Sequence, residues 1–536
     1  MATEKYKQLL DSRTARYLIK NGIRKATEAV APTLGIRGRK IALDSEFGKL
    51  EVVDDGYTIL RSIELEDPRE QIGVKLLRDA STSTNDKIGD GTTTTAIIAN
   101  KLVQEVVRDD DPLLMKQQAG NVLKIRREIE AGKRKVIDFI DTNKITIDDE
   151  HISDVAYVSS NSQEIGDILS IIFKELGKDG SVLVQESHSL ETSHEFVDGM
   201  KVDKGWVSPA MITDGERQEA LIHNAHILVT DQKIHNPQDI EWLVRLFKEG
   251  ANDLLIIADE IDGIPLDFLV ANKVGGAIRA VGINAPALGN VKDILSDIAV
   301  FTGATLVSKD NNLELKDTTI EHLGSAKSVV STKDSTTMAE GGGIEKDVKA
   351  RLNTLQNQLD KETSKYEKEK IKDRMGKLRG GVGIIKVGGA TDTEIEEKKA
   401  KIDDAIHAVR AALEDGVVAG GGIALFRAAQ ELADDILGER ALKQAILSPL
   451  EQLLVNADFE PTEIIKKVLA NKNLNYGFNL ETEAYGDMIK LGIIDPSMVV
   501  KTALNNAVST ALLVQSIAGA NALVRKKDDA FQQRQS

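Results

Sequence analysis

Asn85-Asp86-Lys87-Ile88-Gly89-Asp90-Gly91-Thr92-Thr93-Thr94-Thr95 is the stretch from which the rest of the chain becomes readable. Ahead of it Ile72, Leu76 and Ala80 recur at helical spacing, and beyond it Ile98, Leu102 and Val106 do the same. The stretch therefore reads as a loop that feeds straight into a helix start. A helix N-terminus offers free N–H groups and a partial positive charge, and both suit a phosphate. Gly91 lets the backbone come close, and Thr92, Thr93 and Thr94 add hydroxyl donors. Asp90 alone would repel a phosphate, but it could meet one through Mg2+, which takes carboxylate and phosphate oxygens together. The motif by itself reads equally as an N-cap Asp with β-branched residues opening a buried helix.

The chain has 536 residues, more than one hydrophobic core supports, so two to four domains are expected. Apolar residues make up 41% of it, which predicts packed globular structure. Aromatics are only 4%, too few for a surface that stacks bases. The net charge of -16 repels phosphate backbones, and basic residues are interleaved with acids, as in Glu396-Glu397-Lys398-Lys399, so no nucleic-acid partner is expected. Cysteine is absent, which excludes disulfides, thiolate catalysis and Cys-based metal sites and fits a reducing compartment. No apolar run reads as a membrane span, and the N-terminal region, with Glu4 and Asp11, lacks the apolar core of a secretory signal. A cytoplasmic protein without a membrane partner is the expectation.

Both ends of the chain share a helical texture. Near the start, Lys40–Leu43 and Leu50–Val53 read as a hairpin, followed by the turn signal Asp54-Asp55-Gly56. The middle differs: Leu254–Ala258, Ile278–Ile283 and Ala304–Ser308 read as strands, with helical segments between them such as Asp293–Phe301. Glu345–Leu378 is charged and helical, with a stripe of Leu352, Leu355 and Leu359. A strand at Ile384–Val387 precedes a helix starting near Glu394, whose stripe is Ile402, Ile406, Val409 and Leu413. From Gly420 to about Val524 the chain is again mostly helical. One domain built from both ends, with an α/β insert between, accounts for this pattern.

The familiar catalytic signatures are missing. No Gly-rich loop ends in Lys-Ser or Lys-Thr, and neither His-Glu-x-x-His nor Gly-x-Ser-x-Gly occurs. Thr33-Leu34-Gly35-Ile36-Arg37-Gly38 could wrap a phosphate or form a plain turn. Ala419-Gly420-Gly421-Gly422 could be a flexible loop or a place of close ligand approach. Asp55, at a turn, and Asp404, on a helix, read individually as surface acids.

Taken together and in this order, these elements resemble a group I (bacterial GroEL-like) chaperonin, from about Thr14 to Ala518. The most specific matches are Gly89-Asp90-Gly91-Thr92-Thr93-Thr94 and Ala411-Ala412-Leu413-Glu414-Asp415-Gly416-Val417-Val418-Ala419-Gly420-Gly421-Gly422. Val158-Ser159-Ser160-Asn161-Ser162, Asn475-Tyr476-Gly477-Phe478-Asn479 and Gly492-Ile493-Ile494-Asp495-Pro496 add to them. The resemblance implies a multidomain α/β chaperonin fold with three domains. A mostly α-helical equatorial domain would comprise 1–141 and 415–536, a small intermediate hinge domain 142–198 and 382–414, and an α/β apical domain 199–381. It implies an ATP-driven folding chaperone in which ATP and Mg2+ are cofactors and non-native client proteins and further copies of the chain are partners. At matching positions Thr33, Leu34 and Gly35 would cradle phosphates, Asp90 would hold Mg2+, and Gly91, Thr92, Thr93 and Thr94 would bind the phosphates. Gly421 and Asp495 would meet the ribose, Asn479 and Ile493 would frame the adenine, and Ser159 and Asn161 would lie near the base. Asp404, assisted by Asp55, would orient or activate the attacking water, a chemistry that needs positioning more than covalent help. The client-binding positions would be Trp206, Ala210, Met211, Ile240, Leu243, Leu266, Val270 and Ala271, all apolar.

Several residues depart from that pattern. Asp54 stands where the family has Lys, Ile36 replaces a Pro, and Leu480 and Glu481 replace two alanines, so an altered nucleotide affinity or K+ dependence is expected. Glu451 occupies an Arg position and faces an acidic partner position, Glu460, on the surface that joins two rings. Length changes near Asp109–Leu123 and Ala433–Arg440 fall close to the same contact. A single ring, heptameric by analogy, is therefore favoured over a double one. The tail Lys526-Lys527-Asp528-Asp529-Ala530-Phe531-Gln532-Gln533 lacks Gly-Gly-Met repeats, and the need for a co-chaperonin lid stays open. Two other readings carry less weight: a passive scaffold of the same fold, and a small-molecule phosphotransferase, for which no second ligand site is visible.

Overall fold

The computed structural model describes residues 5–44, 50–107, 122–147, 151–177, 180–187, 189–215, 217–286, 291–362 and 364–525. The chain divides into two compact units, Met1–Ile171 with Thr391–Ser536, and Ile172–Ala390. Both chain ends thus share one unit, as the helical texture of the two ends suggested. The expected insert near Asp109–Leu123 and the polar tail lie largely or wholly outside the described residues.

The first unit is built around the helix Thr92–Val106. Its buried Ala96, Ile98, Ala99, Leu102 and Val103 share one core with Val500, Leu504, Ala507, Val508 and Ala511 of the helix Ser497–Ser516. Leu442, Ala445 and Ile446 of the helix Leu437–Asn456 complete that core. Alanines at the crossings let the backbones approach closely. By length and composition Ser497–Ser516 passes as a membrane span, which amends the reading that no such run exists. Most of it is buried in this core, however, and that burial accounts for its apolar character. The strands Lys5–Asp11 and Gly519–Arg525 pair antiparallel, so the two ends of the described chain close on each other. Ile41–Asp44 and Leu50–Val53 form the expected hairpin.

The second unit is an eight-stranded mixed sheet with helices packed on it. Its strands run, side by side, Ser181–Glu186, Gly381–Val387, Ser193–Val202, Thr336–Gly341, Gly324–Ser331, Ala220–Val229, Asp253–Ala258 and Arg279–Asn284. The last three pair parallel, and Leu254 to Ala258 are buried without a break, as a strand covered on both faces requires. Two expectations change. Ala304–Ser308 is no strand: Val307 alone bridges to Thr230, and the run otherwise follows no ladder. The helical stretch 345–378 is two helices, Glu345–Lys361 and Lys365–Arg379, because Ser364 caps the second by accepting from Glu367 N. Asp297, 1% exposed, fastens both to the unit, bonding Arg351 and Arg374 at 2.7 Å each. One buried carboxylate neutralised by two guanidinium groups is satisfied only while both helices stay docked.

In the first unit the helix Asp392–Asp415 is pinned at its C-terminal end. Asp415 takes Lys501 at 2.6 Å, Lys144 and the Ser497 hydroxyl, and Lys501 and Lys144 also bond Asp141. The next residue, Gly416, has φ 82 and ψ -176, a conformation closed to side-chain-bearing residues, and a Cβ there would lie 2.5 Å from Ile145 O. The chain can therefore turn from helix into the strand Val417–Ala419 only at a glycine. The two ammonium groups and the hydroxyl hold the Asp415 carboxyl down at about 2 against the opposing effect of burial. Because its folded value lies below its ordinary 3.8, its stabilisation is present above that value and disappears as the pH falls toward 2. Asp415→Asn is expected to cost about 2 kcal/mol at neutral pH in denaturant titrations of the first unit. The gap from wild type should close on acidification from 3.8 to 2. A gap that does not change with pH would contradict this assignment.

Candidate functional site

The helix Thr92–Val106 begins without a side-chain cap. Its N-cap residue is Gly91, left-handed at φ 82, and Asp90 accepts from Gly91 N instead of reaching into the first turn. The capping alternative for Asp90 is thereby removed, and the first N–H groups of the helix stay available to a ligand. Thr95, fully buried, donates back to Gly91 O at 3.0 Å and meets the Thr84 hydroxyl at 3.1 Å. These bonds stiffen the turn from inside while Thr93 and Thr94 keep partial exposure.

Asp55 caps a different helix, Gly56–Ser62, accepting from Tyr57 N at 3.0 Å and Thr58 N at 2.7 Å. The expected turn at Asp54-Asp55-Gly56 is thus a helix start. Gly56 is the contact point with the phosphate-type loop: a Cβ there would fall 2.2 Å from Thr93 Oγ1 and 3.3 Å from Thr92 Oγ1. The helix Asp392–Asp415 seats in the same way, since a Cβ on Gly89 would collide with the His407 ring at 2.5 Å. Asp404 lies one helical turn before His407.

These contacts gather carboxylates against their mutual repulsion. Withdrawal from water, then the charges of Asp55, Asp90, Asp403 and Asp54, hold the Asp404 carboxyl well above the usual range. Withdrawal from water also raises Asp90, and the Asp55 charge adds to it, while the Gly91 N–H and the nearby Ser159 hydroxyl oppose the shift. Ser159 Oγ is buried and close enough to ease Asp90, yet completes no hydrogen bond of its own. Asp495, on the strand Ile494–Pro496, is pushed up to about 7 by burial and the Asp90 charge. None of these acids is sealed in the core; each keeps partial exposure, as a ligand-facing side chain must.

Asp495 brings in the glycine run. Its strand pairs with Val417–Ala419, and a Cβ on Gly420 would lie 2.9 Å from Asp495 Oδ1. Beside it, Gly421 faces Ile493 and Met488, and Ile493 belongs with Phe478 and Leu480 to a separate apolar cluster. Asn479, in the hairpin Tyr476–Asn479 with Ala484–Asp487, spends its side-chain oxygen on Glu481 N at 2.8 Å and Thr482 N at 3.3 Å. Thr33 likewise spends its hydroxyl on Val30 O, while Asn456 Nδ2 holds the Ala31 and Leu34 carbonyls at 2.9 Å each. The Thr33-Leu34-Gly35 segment is therefore a braced turn, with Gly35 at φ 86. Asn161, at φ 52, ends the helix His151–Ser160 next to Ser159.

Carboxylates Asp55, Asp90, Asp404 and Asp495, with Ser159, are thus brought to one place by five separate segments. Sequence reasoning gave no site role to Gly56, Gly89, His407, Asp403 and Lys401 around them. The spacing of His407 and Lys401, three residues either side of Asp404 on one helix, was the signal available.

In the second unit the apolar candidates split by burial. Met211 and Leu243 are fully buried and pack in the core, so here they support the surface instead of lining it; Met211 Sδ even accepts from Gly282 N. Trp206, Ala210, Ile240, Leu266 and Val270 are half-buried, and Ala271 is exposed. The helix Gly263–Val274 adds two large residues that had not been singled out, Ile264 at 54% and Val274 at 71% exposure. With Ala271 they lie along one helix face, a stripe open to a partner.

Comparison with known proteins bears on the family and the fold. The family model described as TCP-1/cpn60 chaperonin family matches residues 26–518. Among solved structures, the chain is similar to the chaperonin gp146 from the bacteriophage EL 2 (Pseudomonas aeruginosa), crystallised in the presence of ATP-BeFx. That likeness has a TM-score of 0.64 at 20% identity and covers 97% of this chain and 99% of the other.

The raised carboxyls make a prediction about stability. A group whose folded value exceeds its unfolded one binds more protons when folded, so stability falls as the pH rises through that window. Without divalent cations, Asp404→Asn is expected to stabilise the first unit by about 1 kcal/mol or more at mildly alkaline pH and to do nothing near the ordinary carboxylate value. Thermal melts at the two pH values measure this; equal shifts at both would contradict the carboxylate cluster.

Proposed function

Since this chain belongs to the TCP-1/cpn60 chaperonin family, we propose that it is an ATP-hydrolysing chaperone that captures non-native proteins on apolar surface of its second unit and assists their folding inside a ring of its own copies. The observation that supports this most is the meeting of Asp404 with Asp55 and Asp90 at the uncapped start of the Thr92 helix. In this reading the free N–H groups and hydroxyls from Gly91 to Thr94 receive the phosphates of ATP. Gly421, Ile493 and Asp495 line the nucleoside side, with the braced turns at Thr33–Gly35 and Asn479 shaping its walls and Ser159 and Asn161 bordering it.

Asp90 fits a role as Mg2+ ligand. No group of three His or acidic side chains among the described residues could hold a metal alone, so the remaining ligands would be phosphate and water oxygens, as Mg2+ prefers. When bound, Mg2+ would neutralise charge on the phosphates and on this acidic site. Asp404, whose raised pKa makes its ionised carboxylate a stronger base, is poised to take a proton from an attacking water or to hold that water in line. Asp55, fixed by two backbone N–H bonds, is a rigid second acceptor for the same water. The exposed stripe Ile264, Ala271 and Val274, with half-buried Leu266 and Val270 beside it, offers the kind of adaptable apolar patch that binds unfolded chains.

The division into equatorial (1–141, 415–536), intermediate (142–198, 382–414) and apical (199–381) domains belongs to this proposal, as do a cytoplasmic location and a heptameric ring. Glu451 and Glu460 are both at least partly exposed, and their like charge favours a single ring.

Two measurements test the proposal. Asp404→Ala is expected to lower ATP turnover by about a hundredfold or more while ATP still binds. An unchanged rate would remove Asp404 from the chemistry, and no turnover in the wild type would leave a passive binder. Light scattering should give roughly 410 kDa for seven subunits of 58.3 kDa, and Glu451→Arg should shift mass toward twice that. A wild-type mass already at the doubled value would refute the single ring.

A further inference from the structure

The helix Asp392–Asp415 presents one continuous face to the site. Glu397, Lys401, Asp404, His407 and Ala411 follow at spacings of four, three, three and four, which keeps them on one side of an α-helix. What each touches changes along the helix. Ala411 is buried with Ile88 and Val499, and Asp415 beyond it is locked by Lys501, Lys144 and Ser497. His407 sits against Gly89. The far half is held by charges. Lys401 reaches Asp54 at 3.8 Å and Glu397 at 2.7 Å, and Glu397 reaches Lys40 at 2.6 Å. All four side chains are between 27% and 43% exposed. The result is a rod fixed firmly at one end and tied at the other by a chain of alternating charges, Lys40–Glu397–Lys401–Asp54. Asp404 lies between the two ends.

Asp54 is the immediate neighbour of Asp55, and Lys401 stands one turn before Asp404. The Lys401–Asp54 tie thus joins the two segments that carry the proposed water-orienting carboxylates. Repulsion between Asp404 and Asp55 pushes those segments apart. A cation from one segment resting on an anion of the other opposes that push.

We infer that Lys401 is a positioning residue: its ion pair with Asp54 holds the Asp404 helix over the phosphate-type loop, so that Asp404 faces the reacting water. This rests on the role of Asp404 given above. Lys401 itself touches no reacting atom. Because the tie is partly exposed, it weakens in salt, and closure of the site becomes sensitive to ionic strength.

The full-length chain is assayed as wild type, Lys401→Gln, Lys401→Asp, Asp54→Lys, and the charge swap Asp54→Lys with Lys401→Asp. Lys401→Gln is expected to lower kcat about threefold to fivefold at low salt with KM for ATP nearly unchanged. The swap should recover most of the loss that either single change causes. Added salt, to about 0.5 M, should slow the wild type and leave Lys401→Gln little altered. Hydrogen exchange read over 397–407 should be faster in Lys401→Gln and slow again in the swap. Unchanged kcat and exchange in Lys401→Gln, or a swap no better than its single changes, would overturn the inference. A raised KM with intact kcat would overturn it too, because Lys401 would then be touching nucleotide. Should the wild type fail to hydrolyse ATP, the proposed function falls, and exchange alone decides whether the tie exists.

Discussion

Like charges held close together and partly out of water are the constraint around which the first unit is organised. Asp55, Asp90, Asp404 and Asp495 come from four separate segments, and every pair that meets costs free energy. The fold meets that cost with backbone more than with side chains. Asp55 is fixed by two N–H groups of its own helix, and Asp90 by the N–H that follows it. Glycines 56, 89 and 420 let hydroxyl, imidazole and carboxylate approach where a methyl group would not fit. Under the proposed function a cation and a polyphosphate would relieve that repulsion, and ligand affinity and instability without ligand would have a single source.

Much of this was legible in the amino-acid order. The helical stripes on either side placed the Asp90 loop at a helix start, but by itself the loop read as well as an N-cap, and only the resemblance gave it a phosphate role. The two-ended unit was legible from texture. What could not be read was direction. Thr33 and Asn479 carry polar groups suited to a ligand, yet both bond their own turns, and nothing in their neighbours announces which choice a side chain makes. Met211 and Leu243 have the same apolar character as Leu266 and Val270, but burial separates them, and burial depends on which helix face meets the sheet. Ala304–Ser308 has strand composition without a strand partner beyond Val307. The spacing of Lys401 from Asp404 was legible, but its pairing with Asp54, far away in the chain, was not.

The second unit solves a different problem with the opposite means. Its sheet buries an unbroken apolar strand, and its helix pair is fastened by the buried Asp297 between two arginines. That leaves the helix Gly263–Val274 with apolar residues pointing outward although its buried face is already well packed. A surface that stays apolar on a rigid support suits a partner that brings its own disorder.

The pairing of Lys5–Asp11 with Gly519–Arg525 has a consequence for how the molecule comes into being. On a ribosome the inserted unit, Ile172–Ala390, emerges whole and can close its sheet while the rest is still being made. The unit that carries the site has its first helices early, but their partners Leu437–Asn456 and Ser497–Ser516 arrive last. The core face of Thr92–Val106, Leu102 among it, lacks those partners for most of the synthesis. A chain of this architecture is itself, for a time, the kind of unfinished protein that needs shelter from aggregation.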